Sequence, residues 1–158
     1  MRKLLLFMYI VSLLIVIIGF YGMNFFTETI VKGANGGGNG NPALFIPVFL
    51  MPFFFYFVYG TTELSMQLIE KYKKSSTLIL SIILSVIAIM GIVIYTVEKS
   101  RKIREMIVQK QSNFESISQI SLLNTFSNDI FFNALTFVMV LLVCYVVAAG
   151  WSVYRRPK

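Results

Sequence analysis

The sequence predicts an all-α integral membrane protein with four transmembrane helices in a bundle, the third of which extends beyond the membrane. Two observations predict this class. Hydrophobic residues make up 57% of the chain and charged residues 13%, whereas a typical soluble domain has roughly 45–50% and about 25%. Uncharged stretches long enough to cross about 30 Å of hydrocarbon as helices recur along the chain. Open strands are excluded there because their backbone groups would lack partners in lipid.

The predicted spans divide a single membrane domain of residues 1–158. The first begins after Arg2 and Lys3, as a secretory signal peptide does, but its apolar run is longer and no small-residue cleavage site follows. We therefore expect it to remain as the first span. The four spans cover approximately residues 4–26, 43–62, 76–97 and 130–153.

A flexible Gly/Asn loop, residues 33–41, joins the first two spans. It lacks the Gly-Lys-Ser/Thr ending of a phosphate-binding loop and follows no predicted strand, which argues against nucleotide binding. Asn41 and Pro42 are typical of a helix N-cap and first helical position. Pro47 and Pro52 predict a kink in the second span, because each removes a backbone donor. The functional interpretation is a hinge or a ligand cavity, and a static kink is the simpler interpretation.

The second span is also dense in aromatic side chains. Phe45, Phe49, Phe53 and Phe57 are four residues apart and therefore share one helical face. Such a face suits packing or lipid contact better than a site for an apolar ligand. The sequence therefore predicts packing or lipid contact for this face.

Small residues recur on one face of the third span, at Ser81, Ser85, Ala88 and Gly91. Small side chains let another helix backbone approach closely in a membrane. We therefore expect a tight helix contact on this face, with a partner helix either in this chain or in another. Replacement of Ser85 and Gly91 by leucine is expected to loosen the bundle or abolish oligomers.

The longest polar stretch, residues 98–129, divides into two parts. Its first half alternates charges without Gly or Pro, which predicts a helical stalk that continues the third span to about Lys110. The pairs expected on it are Glu98 with Lys102 and Arg101 with Glu105. The second half mixes Ser, Asn and Gln with spaced apolar residues, which is typical of a short amphipathic helix at a membrane surface.

Charge and aromatic residues at the span ends predict the topology. The N-terminus, the second connection and the C-terminal tail together carry slightly more Lys and Arg than the other two connections. This favours cytoplasmic N- and C-termini in the plasma membrane, a multi-pass arrangement. If one span failed to cross, the stalk would instead lie inside. Aromatic and basic anchors close the fourth span, at Trp151, Tyr154, Arg155 and Arg156.

The chain offers little for chemistry. It has no histidine and one cysteine, Cys144, so no catalytic, cofactor-binding or metal-binding site is predicted, and we expect a protein that is not an enzyme. No ionisable residue lies deep in a span, which argues against a coupled transporter that acts alone. The basic residues flank apolar runs, which favours the lipid bilayer over nucleic acid as their partner.

Two function classes remain. The first is an accessory or interaction subunit that binds another membrane protein or itself as a homo-oligomer. The alternative is a small transporter or channel subunit whose path forms only in an oligomer. Small size and missing catalytic groups favour the first class, and the kinked aromatic second span motivates the second.

Overall fold

A computed structural model of the chain describes residues 3–33, 41–72 and 75–155, which form helices joined by turns and loops, without any strand among them. Three helices are long and apolar enough to cross a membrane, and there are four candidates if one bent helix pair is a single span. The helices are α1 (Lys3–Gly22), α2 (Phe45–Phe49), α3 (Met51–Tyr72), α4 (Ser75–Lys110), α5 (Asn128–Phe131) and α6 (Ala134–Arg155), with 3₁₀ helices at Met23–Phe26, Pro42–Leu44 and Ile117–Gln119.

Helix α1 packs antiparallel to α3 at close range. The Tyr9 hydroxyl lies 3.2 Å from Oγ1 of Thr61. The Tyr9 ring lies against Gly60, and a methyl group at Gly60 would overlap it. The absent side chain at Gly60 therefore allows the two helices to meet with an aromatic ring between them.

The bent pair is α2 with α3, and its two pieces meet at an angle of 53°. The break falls at Leu50, between Pro47 and Pro52. Proline has no N–H, so Pro52 cannot donate to the carbonyl four residues earlier. Backbone bonds on either side remain, since Leu50 N donates to the Ile46 carbonyl at 3.0 Å and Phe54 N donates to the Leu50 carbonyl at 2.9 Å. The bend therefore has an identifiable cause in the two prolines.

Helix α6 lies between α3 and α4. The fully buried ring of Phe57 in α3 stacks on Phe137 of α6, with ring centroids 5.6 Å apart. On its other side, the Tyr145 hydroxyl is 2.6 Å from Oγ of Ser81 in α4. Near the ends of α3 and α6, a small core joins the three helices through Ile69, Leu78, Ala148 and Ala149. The long helices thus follow the spatial order α1, α3, α6, α4.

Helix α4 ends at Lys110, so the predicted continuation of the third helix is confirmed. Its 36 residues span about 54 Å at about 1.5 Å per residue, well over a bilayer core of about 30 Å. On its surface Glu98 pairs with Arg101 at 2.8 Å, and Arg101 also lies 3.7 Å from Glu105. The expected Glu98–Lys102 pair is absent from the described residues, because Arg101 reaches the same carboxylate with two donors.

The amphipathic helix expected after the stalk does not form. Between residues 111 and 127 the described chain contains only the 3₁₀ turn Ile117–Gln119. Short polar side chains hold turns there instead: Oδ1 of Asn124 accepts from the Phe126 N–H at 2.9 Å, and Oγ of Ser127 accepts from the Asn124 N–H at 3.0 Å. Such bonds offer the backbone an alternative to a helix, which explains why the apolar spacing there was a misleading signal.

Candidate functional site

A folded polar cap lies at one end of the helices, built from residues 23–33, 41–44 and 98–133. Its small apolar core consists of Ile107, Ile120 and Phe126, with Ile30 and Ile103 packed against it. These side chains come from the first connection, the stalk and the loop after the stalk. The cap is therefore one packed unit and not three independent loops.

Buried amide side chains join the cap segments. Nδ2 of Asn41 donates to Oδ1 of Asn128 at 2.6 Å and to the Asn124 carbonyl at 3.2 Å. Nδ2 of Asn128 in turn donates to the Phe26 carbonyl at 3.2 Å. Asn128 is 1% exposed and Asn124 3% exposed. This network links residues 87 and 102 positions apart and fixes the Pro42–Leu44 turn against α5.

Asn41 has a second role at the start of the helix. Its Oδ1 accepts from the Ala43 N–H at 3.2 Å, with Pro42 at the first helical position. The predicted helix start at these residues is therefore confirmed. Of the predicted loop 33–41, only Gly33 and Asn41 are among the described residues.

The first connection runs along the stalk. The Glu28 N–H donates to the Thr125 carbonyl at 3.0 Å, and the Gly33 N–H donates to the Lys110 carbonyl at 2.9 Å. Gly33 has a φ of +77°, a conformation that favours glycine. Its bond satisfies a backbone carbonyl at the C-terminus of α4, which has no partner within the helix. The chain that leaves α1 thus holds the end of the stalk and the loop that follows it.

An apolar cavity of about 270 Å³ lies under the cap, where α1 meets the α2–α3 bend and α6; we name it the bend cavity. Pro47 and Leu50 line it from the bend, Val16 from α1, Met23 from the 3₁₀ helix that follows α1, and Val140 from α6. A shallower pocket of about 260 Å³ lies lower between α1 and α3, beside Pro52. The two predicted kink residues therefore each border a cavity.

The aromatic face predicted for the second span divides in the structure. Phe57 is buried at the centre of the helices, whereas Phe45, Phe49 and Phe53 are exposed by 65%, 76% and 38%. Phe57 therefore packs fully within the chain, and Phe53 is partly covered beside the pocket at Pro52. The other three rings face outward, where lipid surrounds a membrane helix.

The small-residue face predicted on α4 also divides. Ser81 contacts α6 through its bond to Tyr145, and Ser85 is 9% exposed. Ala88 and Gly91 are exposed, and a methyl group at Gly91 would meet no described atom within 4 Å. Within this chain, α6 covers the first half of the predicted face and leaves the second half open.

The predicted interface anchors lie together at the end of α6. The rings of Trp151 and Tyr154 stack at 5.9 Å, and the guanidinium of Arg155 lies 4.7 Å from the centre of the Trp151 ring. All three side chains are exposed. Arg156, the fourth predicted anchor, lies outside the described residues.

The described residues bring together no group of three His, Cys, Asp or Glu that could hold a metal ion. Cys144 is buried within α6. Sequence reasoning missed the amide network of the cap. Its one available signal was the recurrence of asparagine at the start of the second span and before the fourth.

Comparisons of the chain with protein-family models, with curated proteins and with solved structures find no match.

Proposed function

We propose that the chain crosses the plasma membrane four times, with the bent α2–α3 pair as one span, both termini in the cytoplasm and the cap outside. The antiparallel contacts of α1 with α3 and of α6 with α4 support this arrangement. The anchors of α6, at the end opposite the cap, also support it, since aromatic residues favour a membrane interface and basic residues favour its cytoplasmic side. Reporter fusions at the two chain ends test this topology, because ends on opposite faces would contradict it.

We propose further that the protein is a non-enzymatic accessory subunit that binds another membrane protein or a second copy of itself through α4. The observation that carries this proposal is the open half of the small-residue face. Ala88 and Gly91 are exposed among large exposed side chains such as Ile87 and Ile94. Small residues in that setting leave a notch into which the backbone of another helix fits closely.

The cap adds to this argument. Within the cap, the stalk continues α4 beyond its apolar run. The apolar core and the backbone bonds of the cap hold the stalk rigid. A partner could therefore contact one helix both in the membrane and outside it. Rigid surfaces bind with a smaller loss of conformational entropy than mobile loops do.

The test is the double substitution Ala88→Leu and Gly91→Leu. Both positions face open space, so we expect the fold and its thermal stability to remain. We expect the variant to lose the partner, or the self-association, that the unaltered chain retains in mild detergent. The matched control is Gly150→Leu, which is also exposed with open space around it but lies on α6. The proposal fails if the unaltered chain purifies alone and monomeric, or if the double variant keeps every partner.

The alternative, a transporter or channel subunit, finds less support in the described residues. The bend cavity has an apolar lining, and in the pocket beside Pro52 only Ser12 and Tyr56 supply hydroxyl groups. A water-filled path needs more polar lining groups than these. Flux of ions or metabolites through proteoliposomes that hold only this protein would reinstate the alternative.

A further inference from the structure

With the spans placed as proposed above, on which this inference rests, the bend cavity lies at the depth of lipid chains. Its lining on the α1 side comes from the last two turns of that helix, from Val16 onward, and from Met23 directly after it, all within about 10 Å of the helix end beneath the cap. Val140 lines it from the second turn of α6. Both helices are candidate membrane spans. The surroundings of the cavity at this depth are therefore hydrocarbon and not water.

Water is a poor occupant for this space. A buried water molecule needs two to four polar partners, and the described lining consists of apolar side chains. A dry cavity of about 150 Å³ lined by similar side chains binds benzene. By the same proportion, the bend cavity of about 270 Å³ takes an apolar segment of roughly ten carbon atoms.

The shape favours a chain over a helix. A helix with its side chains is about 10–12 Å wide, too wide for a cavity of this volume. Two lining residues, Met23 and Met51, have unbranched and flexible side chains that adapt to an irregular occupant. Met51 is 45% exposed at the edge, so the cavity borders the outer surface of the helices.

From these observations we propose that the bend cavity binds one acyl chain of a membrane lipid, which enters sideways from the leaflet next to the cap. The chain fills the space that the α2–α3 bend opens between α1 and α6. Once bound, the acyl chain supports the bend, because it makes contacts with the lining side chains that the protein itself does not make. The site is independent of the open face of α4, which lies beyond α6.

The test uses the full chain in phosphatidylcholine bilayers that contain a phosphatidylcholine with a diazirine at the middle of one acyl chain. After irradiation, we expect cross-links concentrated on residues 16–23, 47–54 and 132–140, severalfold above the lipid-facing residues 79–97 of α4. Equal labelling of all lipid-facing helices would overturn the proposal. Absence of cross-links from these segments would also overturn it, because another occupant, such as a side chain of a second copy, would then exclude the acyl chain.

Two matched variants sharpen the test. Val140→Phe places a ring in the cavity, and we expect severalfold less labelling of the three segments. Val143→Phe lies on the same helix but is exposed, and we expect unchanged labelling. Equal labelling of both variants would contradict the proposal. If Val140→Phe does not fold, the smaller Val140→Leu takes its place, and the distribution of cross-links on the unaltered chain still decides.

Discussion

The substitution Asn128→Ala isolates the amide network that joins the cap to the helices. It removes the acceptor for Asn41 Nδ2 at 2.6 Å and the donor to the Phe26 carbonyl at 3.2 Å. Asn41 keeps its bond to the Asn124 carbonyl. The expected loss is therefore that of two hydrogen bonds, each worth about 0.5–1.5 kcal/mol, or about 1–3 kcal/mol together.

Thermal unfolding in mild detergent measures this loss. For a chain of this length, 1 kcal/mol corresponds to a shift of about 2–4 °C, so the midpoint should fall by roughly 2–12 °C. Limited trypsin digestion locates the change, since exposed Arg101 and Lys102 lie on the stalk and Lys110 at its end. We expect faster cleavage at these residues in the variant.

The control is Asn113→Ala, an exposed asparagine in the same connection. We expect it to leave both the midpoint and the digestion rate unchanged. If Asn128→Ala unfolds at the same temperature as the control and resists trypsin equally, the network does not hold the cap, and the reasoning from its hydrogen bonds is refuted.

Three further substitutions test other contacts. In Gly60→Ala, the added methyl group overlaps the tyrosine ring of α1, and such overpacking should cost about 1–3 kcal/mol of stability. The control Gly22→Ala places its methyl group in open space and should leave the stability unchanged in the same unfolding assay. Tyr145→Phe removes a hydrogen bond to α4. A loss of stability above about 1.5 kcal/mol would show that the substitution disturbs more than this one bond. Ile107→Ala empties the cap core and should destabilise by about 2–5 kcal/mol, with faster trypsin cleavage of the stalk, whereas exposed Met106→Ala should match the unaltered chain.

Local sequence signals predicted the long helices well. The end of α4 at Lys110 followed from a charged run without Gly or Pro, and the helix start at Asn41 followed from an N-cap and a proline. These features depend on a few neighbouring residues. Helix propensity, capping and hydropathy act over that same range, which is why the pattern was informative.

The faces of the helices were harder to predict. Buried positions on α4 recur at Leu78, Ser85 and Ile92 with seven-residue spacing, close to the repeat that keeps two helices in register. Ser81 and Gly91 are ten residues apart, which is about 80° short of three full turns. Gly91 therefore rotates away from the helix that Ser81 touches. Which neighbour a face meets depends on tertiary packing.

Local sequence signals could not predict the cap. Its core joins Ile30 to Ile107 and Phe126, and its amide network joins Asn41 to Asn128. Spacing within one segment carries no information about such contacts between distant segments. The loop after the stalk, predicted as an amphipathic helix, forms turns because its apolar side chains pack into a core that other parts of the chain also supply.

The four-span arrangement depends on the α2–α3 bend, because a bent pair that turned back would not cross the membrane. In a background with Cys144 replaced by alanine, single cysteines at Lys32 in the first connection and at Glu70 near the end of α3 test the crossing directly, since they lie on either side of the bent pair and both positions are exposed. If the bent pair crosses the membrane, a membrane-impermeant maleimide added to intact cells labels the cysteine at position 32 and not the one at position 70. Labelling of both from the same face would show that the bent pair turns back, and the four-span account would then be wrong.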